Sequence, residues 1–301
     1  MKIIAEMCQN HNGSFSRLCE MVKEAKRGGA THAKIQTIFA NDLSYRKEFE
    51  NGVKDQKNQF IYIKRPYNKE YERLKKLELS YENQKKFVEI CLENELIPLT
   101  TSFNLTAIPK IKESGFKSIK VASYDCASEP LIKKLVDNFD EIIVSTGATY
   151  DNEIVSCAEI LKKSDKDFSL LHCVTKYPTP LKEMNLTRID FLRKFSKKVG
   201  LSNHSLTKRD GVKADIAAIY LGADCIERHF TILEEQETKD GPVSIKREHL
   251  EEINSFINMN KSEKDNYINK NIPEFEEMKG TPLRDLSDEE IANRNYYRGR
   301  F

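Results

Sequence analysis

Several features are scarce or missing in this 301-residue sequence, and each absence excludes a class of protein. No apolar stretch approaches the ~20 residues of a membrane-spanning helix, and the chain opens directly on a strand-like run, so we expect neither a membrane segment nor a signal peptide. The net charge is only +2, with no basic block of the kind that binds nucleic acid. The seven cysteines are scattered and form no Cys-x-x-Cys pair, which is typical of reduced thiols. These absences favour a soluble cytoplasmic protein.

Histidine is also scarce, yet two of the six histidines occupy equivalent positions. His204 ends the apolar run 199–204, and His229 lies near the end of the run 225–231. Each run reads as a short buried strand. Consecutive strands of a parallel sheet often lie side by side, about 4.8 Å apart, so the two imidazoles could converge on one cation. The pair suggests a metal-assisted enzyme, and the alternative is two histidines that are satisfied separately in the core.

Short apolar runs alternate with amphipathic, helix-like segments along most of the chain. The alternation indicates the α/β class. Eight strand-helix units favour a parallel (β/α)8 TIM barrel, which typically needs about 250 residues, over a doubly wound open sheet. The strands are predicted at residues 3–7, 32–37, 97–102, 118–123, 141–147, 169–174, 199–204 and 225–231.

Two stretches lie outside this repeat. Residues 38–79 form a long, polar, tyrosine-bearing insertion after the second predicted strand, on the face where the active-site loops of a barrel lie. Residues 259–301 are charged and contain few apolar residues, as expected of a tail or linker. We therefore expect a catalytic barrel over residues 1–258, followed by a charged C-terminal tail over residues 259–301.

Polar residues recur within and just after the predicted strands, although a barrel interior is normally filled by branched apolar side chains. Because catalytic groups of a barrel collect at the C-terminal ends of its strands, these residues are the candidates for a functional site. Some share a strand face because they lie two residues apart, as Lys34 and Gln36 do. The candidates are Glu6, Lys34, Gln36, Lys120, Ser123, Asp125, Ser145, Thr175, Tyr177, Ser202, His204 and His229.

Two of the candidates are lysines within predicted strands. A buried lysine is rare without an anionic partner. Lys34 and Lys120, with hydroxyl groups and backbone amides nearby, together describe a pocket for a small, highly charged anion. For either lysine alone, the alternative is an ion pair with a carboxylate such as Glu6 or Glu227.

The motifs that carry these candidates resemble the N-acetylneuraminate (sialic acid) synthase family across essentially the whole barrel. The match is specific because several motifs occur in order, and no single one would suffice. They are Ile-Ala-Glu at 4–6, Asn-His-Asn-Gly at 10–13, Ala-Lys-Ile-Gln-Thr at 33–37, Ser-Thr-Gly at 145–147, Leu-Leu-His-Cys at 170–173, Tyr-Pro-Thr-Pro at 177–180, Gly-Leu-Ser-Asn-His at 200–204 and Glu-Arg-His-Phe-Thr at 227–231.

The resemblance implies a transferase that condenses phosphoenolpyruvate with an open-chain amino-sugar aldehyde similar to N-acetylmannosamine. The products would be a nine-carbon 2-keto-3-deoxy acid and phosphate. It implies a divalent ion, Mn²⁺ or Mg²⁺, on His204 and His229, and Glu6 as the acid/base. It places phosphoenolpyruvate on Lys34, Lys120, Ser123, Ser145, Thr175 and Ser202, and the sugar on Gln36, Asp125 and Tyr177.

The sequence departs from the family pattern at four places. Asn203 replaces an aspartate beside the expected metal, and Val243 replaces the aspartate of a Gly-Pro-Asp loop, although Asp240 stands just before the glycine. Thr175 stands where serine or asparagine is usual. The chain stops at Phe301, about where the family's antifreeze-like C-terminal domain would begin. That domain covers the partner's active site in a swapped dimer of the family. A homodimer is possible for this chain, and the sequence does not settle the oligomeric state.

Two rival functions stay open at this point. A Schiff-base aldolase on the same barrel would use Lys120 as its nucleophile. A non-catalytic sugar-binding or assembly barrel would account for the altered aspartates. The sequence identifies neither the acceptor sugar nor the native metal.

Overall fold

The computed structural model of the chain describes residues 1–56, 58 and 60–301. Eight parallel strands close into a barrel, each beside its neighbour in sequence, and the last strand pairs with the first. The predicted (β/α)8 TIM barrel is therefore confirmed. In chain order, the strands of the described residues are β1 (Lys2–Cys8), β2 (His32–Thr37), β3 (Val53–Lys54), β4 (Phe60–Tyr62), β5 (Ile97–Ser102), β6 (Ser118–Val121), β7 (Glu141–Ser145), β8 (Asp167–Cys173), β9 (Lys198–Asn203) and β10 (Cys225–His229).

Amphipathic helices surround the barrel, and β3 and β4 form a separate antiparallel pair outside it. No helix of the described residues is long and apolar enough to cross a membrane. The helices are α1 (Phe15–Arg27), α2 (Glu48–Asn51), α3 (Tyr67–Lys75), α4 (Tyr81–Glu93), α5 (Ile108–Glu113), α6 (Glu129–Val136), α7 (Asp151–Lys162), α8 (Arg188–Arg193), α9 (Thr207–Asp210), α10 (Lys213–Tyr220), α11 (Arg247–Asn258), α12 (Lys261–Asn271), α13 (Phe275–Lys279) and α14 (Asp288–Tyr297).

Local sequence signals set the ends of these elements. The Ser14 side chain accepts a hydrogen bond from the Arg17 amide at the start of α1, and two basic residues occupy its last turn, where they oppose the negative end of the helix dipole. Gly200 lies opposite Cys225 where β9 and β10 pair. A Cβ at Gly200 would lie only 2.0 Å from the Cys225 carbonyl oxygen, so only glycine lets these two strands approach.

The barrel interior changes character along its axis. The layer nearer the N-terminal ends of the strands, which we call the lower layer, is an apolar cluster. It is made of Ile4, Leu99, Ile143, Leu171 and Cys225, all fully buried. Because side chains alternate across a strand, the next inward positions lie two residues further on. There the barrel carries what we call the polar layer, to which other strands also contribute: Glu6, Lys34, Thr101, Lys120, Ser145, Ser202 and Glu227.

The described residues of the insertion after β2 form α2, the β3–β4 pair and α3. Its apolar residues form a small separate core of Ile38, Ala40, Leu43 and Leu74, against which Phe301 packs. The insertion and the end of the chain therefore meet beside the barrel mouth.

The predicted charged tail, residues 259–301, forms α12, α13 and α14 and packs against the rest of the chain. Several of their apolar residues are buried, among them Ile268, Ile272 and Met278. Several of their charges are paired, since Arg294 contacts Glu153 and Arg300 contacts Glu70. Charge composition alone did not indicate this packing. The division of the chain at residue 258 stays a prediction.

Candidate functional site

The C-terminal ends of the barrel strands surround a cavity of about 400 Å³, a size typical of small-molecule sites. The polar layer forms its floor, and the insertion, the loop after β10 and α14 contribute to its walls. Apart from Asp125, every predicted site residue lines this cavity: Glu6, Lys34, Gln36, Lys120, Ser123, Ser145, Thr175, Tyr177, Ser202, His204 and His229. The roles of these residues stay predictions.

Buried charges of opposite sign meet on the cavity floor. Lys34 forms ion pairs with Glu6 and with Glu227, the latter at 2.9 Å. The Lys120 ammonium lies 3.7 Å from Glu227 and donates a hydrogen bond of 2.6 Å to the Ser145 hydroxyl. The ion pairs that sequence analysis gave as the alternative for each lysine are therefore present. Both ammonium groups also line the cavity, so they remain within reach of an anion that enters it.

The protonation of this floor follows from burial and mutual charge. Burial lowers the pKa of Lys34 to about 8, against the opposing effect of Glu227. Burial alone would raise the pKa of Glu227, but the charges of Lys120 and Lys34 hold it below its usual value. Glu227 therefore stays ionised and accepts a 2.8 Å hydrogen bond from Ser202, which fixes that hydroxyl at the cavity floor.

Glu6 is held by an irregular turn at the end of β1. The pairing of β1 with β2 shifts register between Glu6 and Cys8, and Cys8 adopts a left-handed φ of 46°. The Cys8 amide donates a 2.6 Å hydrogen bond to the Glu6 carboxylate. One Glu6 oxygen is thus fixed by the backbone, while the other faces Lys34.

Hydroxyl groups from neighbouring strand ends are ordered by backbone contacts. The Ser123 hydroxyl accepts a 3.0 Å hydrogen bond from the Gly147 amide, and Thr149 donates to the Ser123 carbonyl. These contacts join the turns after β6 and β7. They bring Ser123 to the same cavity wall as Ser145, where two hydroxyls and an ammonium group face one space.

The two histidines lie together, as their positions in sequence predict. Their ring centroids are 5.3 Å apart, and the His204 Nε2 is 3.0 Å from the Tyr177 hydroxyl. Burial lowers the pKa of both imidazoles, and in His204 the neighbouring His229 lowers it further. Both rings are therefore neutral near pH 7, the state in which imidazole binds metals.

Donor groups around His229 fit a divalent cation. The His229 Nδ1 is buried without a hydrogen-bond partner among the described residues. One potential ligand atom from each of Cys8, His229 and Asp240 lies within 4.8 Å of the others. His204 is outside this group of three. The chain therefore offers an imidazole pair, with a thiol and a carboxylate on the His229 side.

Asp125 lies apart from the other predicted site residues. It lines an adjacent cavity of about 360 Å³, together with Tyr124, Tyr297 and Arg298. Burial raises the pKa of Asp125 to about 7, and Arg298 opposes this increase. Tyr124 and Tyr297, whose rings stack at 4.8 Å, line both cavities, so a wall of aromatic rings lies between Asp125 and the polar layer.

Several cavity residues were not selected from the sequence. Cys8 was counted only among the seven scattered thiols. Four cations at the cavity rim lie outside the predicted strands: Arg65, Arg73, Lys239 and Arg300. Arg73 and Arg300 both contact Glu70, each at 2.7 Å, so one carboxylate organises part of the rim. The i,i+3 spacing of Glu70 and Arg73 in α3 was the available signal. Nothing in the sequence pattern pointed to Arg300.

Comparisons with known proteins identify the family of this chain. The chain matches the NeuB family over residues 21–267. It is 31% identical over 245 residues to a pseudaminic acid synthase of Campylobacter jejuni. This match covers 81% of this chain and 68% of that protein. It is 30% identical over 254 residues to an N,N'-diacetyllegionaminic acid synthase of the same species, with 82% and 72% covered.

A solved structure gives the same result for the fold. The sialic acid synthetase of Leptospira borgpetersenii, crystallised with citrate, superposes with a TM-score of 0.71 at 25% identity and covers 90% of this chain and 92% of that one. The predicted resemblance is confirmed, and so is the prediction of an enzyme of the phosphoenolpyruvate-dependent synthase class. The chain belongs to the NeuB family.

Proposed function

We propose that this chain condenses phosphoenolpyruvate with a 2-acetamido aldose to give a nine-carbon 2-keto-3-deoxy acid and phosphate. The observation that supports this most is the meeting of two buried lysines, several ordered hydroxyls and two neutral imidazoles at one barrel mouth. The lysines and hydroxyls can bind an anionic enol, and the imidazoles can hold a metal ion that polarises an aldehyde. A cytoplasmic location and a homodimer stay predictions.

Phosphoenolpyruvate would bind on the cavity floor. Its phosphate and carboxylate would accept charge-assisted hydrogen bonds from Lys34 and Lys120, with hydroxyl contacts from Ser123, Ser145, Thr175 and Ser202. The rim cations would favour entry of a trianion, since charges of one sign around a cleft raise the local concentration of a ligand of opposite sign. Fixing the enol between these groups lowers the entropic part of the barrier.

The sugar would occupy the outer part of the cavity, where Gln36 and Tyr177 lie. Asp125 would contact it only through the neighbouring cavity, so its role is the weakest part of the predicted sugar site. His204 and His229 would hold a divalent ion, which as a Lewis acid would polarise the aldehyde oxygen. The Tyr177 hydroxyl, on His204, would then lie beside the aldehyde end of the sugar.

The bond changes assign a proton-transfer role to Glu6. The methylene carbon of phosphoenolpyruvate would bond to the aldehyde carbon, whose oxygen becomes a hydroxyl. Water would add to C2, and Glu6 would pass one of its protons to the former aldehyde oxygen. Cleavage of the bond between C2 and the phosphate oxygen would then release phosphate, which takes the second proton as C2 becomes the keto carbon. Glu6 suits this role because its carboxylate lines the cavity and the Cys8 amide orients it.

A phosphate-release assay over a panel of acceptors would test this proposal. The purified chain, loaded with Mn²⁺ or Mg²⁺, should release phosphate from phosphoenolpyruvate only when a suitable sugar is present. The panel would contain N-acetylmannosamine and diacetamido hexoses, and the His204→Ala, His229→Ala double variant would serve as the inactive control. Each phosphate should be matched by one 2-keto acid.

Two outcomes would contradict the proposal. If phosphoenolpyruvate binds but no sugar of the panel gives turnover, the non-catalytic barrel is favoured. A covalent adduct on Lys120 after borohydride treatment with a keto acid would favour the Schiff-base aldolase.

A further inference from the structure

Cys8 occupies a backbone conformation that its side chain makes costly. Its φ of 46° is left-handed, a region that glycine adopts freely and that other residues adopt at a cost. The register shift after Glu6 and the hydrogen bond from the Cys8 amide to Glu6 hold it there. An unusual conformation maintained in this way at a cavity often marks a functional position. The chain therefore places a thiol where glycine would be the less strained choice.

The Cys8 thiol faces two groups that bind metals. Its Sγ is 3.2 Å from Asp240 Oδ2, and His229 completes a set of ligand atoms within 4.8 Å of one another. Metal–ligand bonds of roughly 2.0–2.3 Å place the ligand atoms of one ion at such separations. Cys8 and His229 are buried and Asp240 is partly exposed, so the set is closed on the protein side and open toward the cavity.

In this set, His229 Nδ1 lacks a partner in the described part of the chain, and the loop that carries Asp240 is held independently of any ion. His229 Nδ1 is buried without a hydrogen-bond partner among the described residues, an arrangement that is costly unless a ligand completes it. Asp240 is anchored by its carbonyl, which accepts a 2.7 Å hydrogen bond from Ser244. The next residue, Gly241, leaves no room for a Cβ, which would lie 1.9 Å from the Glu235 carbonyl oxygen. The loop after β10 therefore has little freedom to move Asp240 away.

We propose that Cys8 and Asp240 join His229 as ligands of the divalent ion, so that the site has a mixed sulfur, nitrogen and oxygen donor set. For its place in the reaction, this inference rests on the proposed function. A thiolate favours Zn²⁺, Co²⁺ or Fe²⁺ over Mg²⁺, which prefers oxygen ligands.

Cobalt spectroscopy would test this ligand set without relying on turnover. The metal-free full chain, reduced and kept free of oxygen, would be titrated with Co²⁺ while calorimetry follows binding. One equivalent should give a near-ultraviolet thiolate-to-cobalt charge-transfer band. Cys8→Ser should abolish the band and weaken Co²⁺ binding at least about tenfold, and Asp240→Asn should weaken binding while the band remains.

Cys173→Ser is the matched control, because this second buried thiol lines the same cavity, 3.8 Å from His204 Nδ1. It should leave the band unchanged. Cys8→Gly, which suits the left-handed φ, separates loss of a ligand from misfolding, and it should also lack the band.

Three outcomes would overturn the inference. They are a wild-type band that survives in Cys8→Ser, a band lost in Cys173→Ser, and Co²⁺ binding with no band at all. The phosphate-release assay is scored separately on the same preparations. Turnover with no thiolate band would refute this ligand set and leave the proposed function standing. A thiolate band without turnover on any sugar would support the ligand set and refute the proposed function.

Discussion

The lower layer and the polar layer of the barrel lie two residues apart on the same strands, yet their chemistry is opposite. Ile4 is followed inward by Glu6, and Ile143 by Ser145. The lower layer fills the barrel with apolar side chains, which contribute stability through burial and close packing. The polar layer places charges and hydroxyls in the same cylinder at a cost in desolvation. On these strands, a residue that stabilises the barrel is therefore followed two positions later by a residue of the functional site.

The polar layer should show the largest effect on activity. Lys120→Ala removes an ammonium group from the cavity floor and with it a charge-assisted contact to the bound phosphoenolpyruvate. The kcat/KM for phosphoenolpyruvate should therefore fall at least about 100-fold. Metal binding should remain. Lys34→Ala should behave in the same way. Steady-state kinetics, normalised to the folded fraction, would measure both.

Lys117→Ala is the matched control for Lys120→Ala, because Lys117 is exposed just before β6, three residues from Lys120. It should keep wild-type kinetics. Wild-type kinetics in Lys120→Ala would instead mean that Lys120 serves only as the ion-pair partner of Glu227.

The lower layer should show the opposite pattern. Leu171→Ala leaves a cavity among fully buried side chains, so the free energy of unfolding should fall by about 2–5 kcal/mol. Activity per folded molecule should stay within a few-fold of wild type. Urea denaturation and kinetics at a temperature where the variant is folded would separate the two quantities.

A surface variant sets the smallest effect. Lys198→Ala breaks an exposed 2.6 Å ion pair with Asp167 at the other end of the barrel and should change stability by less than about 1 kcal/mol. If Leu171→Ala cost no more than Lys198→Ala, the lower layer would not be a packed core.

The barrel and most of its site were predictable because both depend on strand periodicity. A period of two residues decides which side chains point inward, and strand ends of a closed barrel converge, so Lys34, Lys120, Ser202 and the histidines could be grouped from sequence. Asp125 was placed with them by its short distance along the chain from Ser123. The turn after β6 carries it into the neighbouring cavity instead.

The remainder depends on irregular backbone and tertiary contacts, which periodicity does not describe. Cys8 reaches the cavity through a register shift, and Asp240 and Lys239 arrive on a loop. Arg300 comes from a charged segment and pairs with Glu70, a residue 230 positions away in sequence. Such contacts join residues far apart in sequence, so no local sequence pattern indicates them.

The central claim is that the polar layer is an anion site in which carboxylates position two lysines to bind the anion. A crystal structure with phosphoenolpyruvate bound would test this claim most directly. We predict that the phosphate and carboxylate of the ligand lie within hydrogen-bond distance of the Lys34 and Lys120 ammonium groups, while Ser202 still donates to Glu227. Phosphoenolpyruvate bound only at the rim cations, with Lys34 and Lys120 still engaged solely by Glu6, Glu227 and Ser145, would contradict the claim.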